Sequence, residues 1–244
     1  MRLTAHYHQK LPPDLQKLTV PQIADQARQF ASGEYLEFLF DGTRASQAQR
    51  EKVLTNMARF TGLSKAFIDA NDLLIPLGPF STELLRDRHL MTSRLDSRFA
   101  GYQIDAGSTS TSFDFSNANI ENCFLTCFQA YVRNELNYKN NNLYYVSGNA
   151  PPWSGEYNTV ANLENGFAKN PHMRLFVGFG YYDFACPFFP VEWTIAHLKV
   201  SDEIKKNNIS LGYYESGHMV YIDQPSAAKY HADLVKFVKD ATAK

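Results

Sequence analysis

Apolar positions recur along the first half of the chain at helical spacing. Ile23, Ala27, Phe30 and Ala31 follow at three- and four-residue intervals, the period that gathers side chains on one face of an α-helix. Thr19-Val-Pro-Gln22 stands just ahead of them as an N-cap residue, an early proline and a capping-box glutamine, so a helix is predicted from there to about residue 40. Ser46-Gln-Ala-Gln49 repeats the device before Val53, Leu54, Met57 and Phe60, and Gly62 falls where a C-terminal helix cap belongs. Short helices are expected at 64–70 and 80–88. A longer one is expected over about 118–136, where Ile120, Phe124, Cys127, Phe128, Tyr131 and Val132 form a stripe. Residues 1–18, with prolines at 12 and 13, read as a lead-in segment whose upstream context is missing. The Asn-rich run 137–142 and Pro151-Pro-Trp-Ser-Gly-Glu156 read as irregular connections.

The period changes after Pro171. Met173-Arg-Leu-Phe-Val-Gly-Phe-Gly180 is nearly continuously apolar, as suits a strand covered on both faces in a parallel sheet. Pro187 then opens a helical pattern carrying Phe188, Val191, Ile195 and Leu198, and Ile209-Ser-Leu-Gly-Tyr-Tyr214 reads as a second strand. A last helix beginning near Pro225 carries Ala228, Leu234, Val235 and Val238. Strand, helix, strand, helix is the ending of a doubly wound α/β sheet.

Composition narrows the partners. The 24 basic and 25 acidic residues leave a formal net charge of −1, so no field favours nucleic acid or an anionic membrane surface. No apolar run reaches signal or membrane-spanning length, and the sequence gives no compartment. Eighteen Phe and fourteen Tyr supply a large core or an aromatic-lined cleft. Three cysteines are too few for a disulfide scaffold; Cys123 and Cys127, four apart, are expected as reduced core thiols on one helix face. No cofactor or metal is expected, since His6 and His8 make only an H-x-H pair. Ser93-Arg-Leu-Asp-Ser-Arg-Phe99, with alternating charges, reads as a solvated face with weak ion pairs rather than a ligand site.

Candidate chemistry lies beyond the two C-terminal strands, where ligands gather in such sheets. Asp183 follows the first strand and His218 the second, which is the order of acid and histidine in an α/β-hydrolase triad. His218 would act as general base and then acid, with Asp183 fixing its tautomer; Gly217 would allow a sharp turn at positive φ. A surface histidine and an ordinary turn glycine are the plainer alternatives.

Several segments resemble the serine carboxypeptidase family, peptidase family S10, in its bacterial-type branch. The closing likeness runs through Asn170-Pro171, Leu175 to Asp183, Pro187-Phe188, Tyr213 to Tyr221 with Gly217-His218-Met219, and Pro225. Upstream it includes Tyr7-His8-Gln-Lys-Leu-Pro-Pro13, Phe30-Ala-Ser-Gly-Glu-Tyr35, Leu84-Leu-Arg-Asp87, Arg94-Leu-Asp-Ser-Arg98 and Trp153. The resemblance implies an α/β fold in which residues 1–170 are a mainly helical cap and residues 171–244 complete the C-terminal part of an α/β-hydrolase sheet. It further implies that Asp183 and His218 are triad members, that Met219 lines the substrate cleft, and that Cys186 stands near it; core packing and a buried small residue are the alternatives for those two.

The family's Gly-x-Ser-x-Gly nucleophile elbow is absent: no serine has glycine at both minus two and plus two. Ser154 and Ser216 come nearest, and neither follows an apolar strand in a way that builds an elbow and an oxyanion hole. Strand 173–180 is then expected to present a bare edge and an uncovered apolar face. The leading expectation is the cap and C-terminal half of an enzyme acting on peptide or protein C-termini, with the serine supplied by a complementary upstream half, fused or separate. A non-catalytic binding or regulatory protein, and an acyltransferase using the same triad, are the alternatives.

Overall fold

The computed structural model describes residues 3–103, 114–142 and 158–243. The chain opens with two short helices, α1 (Thr4–Tyr7) and α2 (Pro13–Gln16), and continues through α3 (Val20–Ser32) and α4 (Glu34–Asp41). The expected lead-in is therefore part of the folded body: Leu3, Ala5, Leu11 and Leu15 are buried in the main hydrophobic core. The single helix predicted to residue 40 is two helices broken at Gly33, the poorest helix former short of proline.

Where the sequence carries capping chemistry, the element ends fall as predicted. Thr19 and Gln22 make the reciprocal capping box of α3, and Ser46 and Gln49 that of α5 (Gln47–Thr61). Gly62 closes α5 in the left-handed conformation at φ 72°. Helices α6 (Lys65–Ala70) and α7 (Leu77–Glu83) follow, then a hairpin of β1 (Leu90–Thr92) against β2 (Ala100–Tyr102) that was not anticipated. The stripe helix is α8 (Phe115–Asn134), and the Asn-rich run after it is irregular. Pro151 to Glu156 lie outside the described residues.

The C-terminal part begins with α9 (Val160–Lys169) and continues through β3 (Leu175–Gly180), α10 (Phe188–Ala196), α11 (Asp202–Asn208), β4 (Ile209–Tyr214) and α12 (Gln224–Thr242). β3 and β4 pair in parallel, with Leu175 opposite Ile209 and Gly180 opposite Tyr214, and α10 and α11 form the crossover that parallel strands require. The architecture is thus mixed α/β with small sheets. Among the described residues this sheet has two strands, so the broader α/β-hydrolase sheet is not formed by them.

Alternation along the strands decides what covers each face. Phe176 and Tyr214 turn to α12, where Phe176 meets Tyr230 and Phe237 at ring distances of 6.0 and 5.5 Å and Tyr214 donates to Asp233 at 2.9 Å. Phe179 and Tyr213 turn the other way, toward Tyr181, Phe188 and the helical region. There Arg28 of α3 binds both oxygens of Glu192 of α10, and Glu192 also accepts from Tyr213 at 2.5 Å. One buried cluster accordingly runs from Leu3 through Phe80 to Phe179, Tyr182 and Phe184, joining the helical region to the strand ends.

Candidate active site

The parallel register sets β3 and β4 to end side by side, and the chain leaves both at the same edge. Pairing carries on into the loops: Tyr181 N–H donates to Tyr214 O at 2.9 Å and Tyr182 N–H to Ser216 O at 3.0 Å. Asp183 therefore sits three residues past Gly180 and His218 four past Tyr214, on adjacent loops. His218 Nδ1 and Asp183 Oδ2 are 2.9 Å apart. A carboxylate only accepts, so Nδ1 carries the proton and Nε2 is the acceptor of the neutral ring.

Asp183 is firmly held. Its side chain is 6% exposed, and its other oxygen accepts from the amides of Ala185 at 2.7 Å and Cys186 at 2.9 Å. The His218 side chain, 40% exposed, has Asp183 as its one hydrogen-bond partner among the described residues. Such a pair can take a proton at Nε2 and stabilise the resulting imidazolium, which is the acid–base half of a triad.

Two glycines make room for this approach. A Cβ on Gly180 would strike the carbonyls of Ser216 and Gly217, and one on Gly217 would strike Asp96 and, at 2.5 Å, the carbonyl of Leu95. The expected positive φ at Gly217 is not found; among the described glycines only Gly42 and Gly62 adopt it. Gly217 is needed because another segment lies against it.

That segment is 93–98, and it corrects the expectation of a solvated charged face. Asp96 and Ser97 are buried, and Arg98 is mostly so. His218 N–H donates to Leu95 O at 2.7 Å, Phe184 N–H to Arg94 O at 3.0 Å, and Ser97 N–H to Tyr182 O at 3.0 Å. The loops of Asp183 and His218 thus both rest on one short stretch of the helical region. Sequence periodicity could not find it, because polar residues buried in a non-helical, non-extended loop leave no repeat.

The remaining candidates are placed as follows. Cys186 is exposed, and its sulfur together with the donor atoms of Asp183 and His218 lies within 4.8 Å of its fellows. A divalent cation accepts such a donor set, yet two of its members are already hydrogen-bonded to each other and one Asp183 oxygen serves two amides. Burial and then the Asp183 charge raise the Cys186 thiol's pKa, opposed by Arg94, which disfavours the thiolate a nucleophile would need. Met219 is half-buried beside His218. Ser216 is fully buried and its hydroxyl makes no hydrogen bond among the described residues, so it does not serve His218; Ser154 and Trp153 lie outside those residues.

One further expectation fails. Cys123 and Cys127 are exposed rather than core thiols, because no element among the described residues covers the face of α8 that bears them. His6 and His8 do not form a joint site: His6 Nε2 contacts Gln16 O at 3.2 Å and His8 Nε2 contacts Ser97 O at 2.9 Å. Burial lowers the His8 pKa, as befits a neutral structural ring. Among the described residues no helix is long and apolar enough to cross a membrane. No protein-family model, curated protein or solved structure matches the chain.

Proposed function

We propose that this chain is the cap and C-terminal part of a serine-type carboxypeptidase of α/β-hydrolase fold, residues 1–170 forming the cap and 171–244 the end of the core. The observation that carries the reading is the 2.9 Å contact between Asp183 and His218 on adjacent loops beyond two parallel strands. The resemblance to the serine carboxypeptidase family supplies the reaction class. The sheet edges, unpaired among the described residues, and the missing nucleophile elbow fit a body that a complementary segment completes.

In the completed site, a serine hydroxyl from that segment attacks the carbonyl carbon of the last peptide bond. His218 Nε2 takes the hydroxyl proton while Asp183 stabilises the imidazolium. The proton passes to the departing amine, the C–N bond breaks, and an acyl-enzyme remains. Water then repeats the sequence and frees the shortened peptide. An amine or alcohol in place of water would give acyl transfer by the same residues.

Fluorophosphonate labelling with peptide mapping tests this. The folded chain alone is expected to take no label, and co-expression with a hydrolase segment bearing a Gly-x-Ser-x-Gly elbow to produce label at that serine. His218→Ala should then slow labelling at least ~10³-fold. A label on a serine of this chain alone would sink the claim that the nucleophile comes from elsewhere. Labelling of the completed protein that ignores His218→Ala would sink the site itself.

A further inference from the structure

Arg98 makes more ordered contacts than any other cation near the two loops. Its Nε lies 3.0 and 3.2 Å from the two oxygens of Asp96, and its Nη2 is 2.7 Å from Asp96 Oδ2. Its Nη1 donates to Glu215 O at 2.7 Å and to Asp223 Oδ1 at 3.1 Å. The guanidinium carbon stands 5.4 Å from the centre of the Tyr182 ring. One planar group therefore touches its own loop, the residue before Asp183, the start of the His218 loop and the N-cap of α12.

We propose that Arg98 is a positioning residue that clamps the 94–98 loop against the Asp183 and His218 loops and so fixes the hydrogen bond between them. Leu95 O receives the amide of His218 itself, and Arg94 O receives the amide of Phe184, the residue after Asp183. Ser97 grips Tyr182 O through both its amide and, at 2.9 Å, its hydroxyl. Each loop is bonded to a different carbonyl or donor of the same stretch, so 94–98 holds the two in register, and loosening it lets them move independently. Asp96, nearly fully buried, is the anchor, and its charge needs the bidentate fork that only arginine supplies. Lysine would keep the charge and lose the simultaneous reach to Glu215 O and Asp223.

The clamp requires only the Asp183–His218 contact; its meaning for catalysis rests on the function proposed above. The test is made without substrate or serine, so that the two fail separately. In the full chain carrying [15N]histidine, the Nδ1–H resonance of His218, assigned with His218→Ala, is followed for exchange with solvent. Arg98→Gln is expected to speed that exchange about tenfold or more, and Arg98→Lys to fall between it and the parent. Arg28→Gln breaks the comparable buried ion pair with Glu192 and is expected to lower the unfolding midpoint while leaving the exchange within about twofold. Should Arg98→Gln fail to fold, Arg98→Lys and Asp223→Asn carry the test, each expected to accelerate exchange. Unchanged exchange in the folded Arg98 variants, or equal acceleration by Arg28→Gln, would overturn the proposal.

Discussion

Helices α5 and α8 begin alike. Each has a polar N-cap whose side chain accepts a first-turn amide, Ser46 from Gln49 and Asp114 from Ser116, and each carries apolar residues at helical intervals. They end up in different surroundings. α5 buries Val53, Leu54 and Met57 in the main core, whereas α8 fully buries Ser116 alone and leaves Phe124 56% and Tyr131 53% exposed. A periodic stripe selects a helix and names the side that wants covering; it does not say whether a partner exists. The C-terminal part repeats the contrast within itself. Its strand ends are sealed by the helical region and the 93–98 loop, while Leu211 on β4 and Val235 and Val238 on α12 stay exposed.

One pair of variants separates the packed core from α8 most strongly. Phe80→Ala removes a ring that is 1% exposed and stacked edge-on against Phe184 at 5.8 Å, and is expected to cost roughly 3–5 kcal/mol in urea unfolding. Phe124→Ala on α8 is expected to stay within about 0.5 kcal/mol of the parent. Equal losses would mean that α8 is covered after all.

Gly217→Ala comes next. The added methyl meets Leu95 O and Asp96, backbone and buried side chain that cannot swing away, and the expected loss is roughly 1–3 kcal/mol. Because the overlap lies on the 94–98 stretch, the His218 Nδ1–H signal should also exchange faster. Ser46→Ala tests the well-packed helix from its end: losing the hydroxyl that accepts from Gln49 should cost about 1 kcal/mol with no effect on that signal.

The smallest effect is a pH dependence in the C-terminal part. The hydrogen bond from Lys229 holds the Asp233 carboxyl below its ordinary pKa, helped by Tyr214 and opposed by burial. A lowered folded pKa means stability that is present above the unfolded value and lost as pH falls through the folded one. Asp233→Asn should therefore flatten the acid limb of stability and leave the neutral value lower. An unchanged acid limb, followed by thermal unfolding at stepped pH, would remove this pair from the docking of α12.

Much of the fold was legible where the signal is local. Capping residues, the αL glycine at 62 and the apolar periods placed the start of α3, both ends of α5 and both parallel strands to within a few residues, because each rests on interactions within one turn or one strand. The order of Asp183 before His218 was equally readable, as was the lack of an elbow serine. The sequence by itself thus determined α5, α8, α10 and α12, the two parallel strands and the two residues that meet beyond them. Only the tertiary structure decided that Leu3, Leu11 and Leu15 belong to the core, that Cys123 and Cys127 are exposed, and that 93–98 buries Asp96 and Ser97 rather than forming a solvated charged face. The physical reason is range. Helix and strand periods are set by neighbours along the chain, whereas the burial of Asp96 and Arg98 depends on loops that arrive more than eighty residues later, and no local pattern records that meeting.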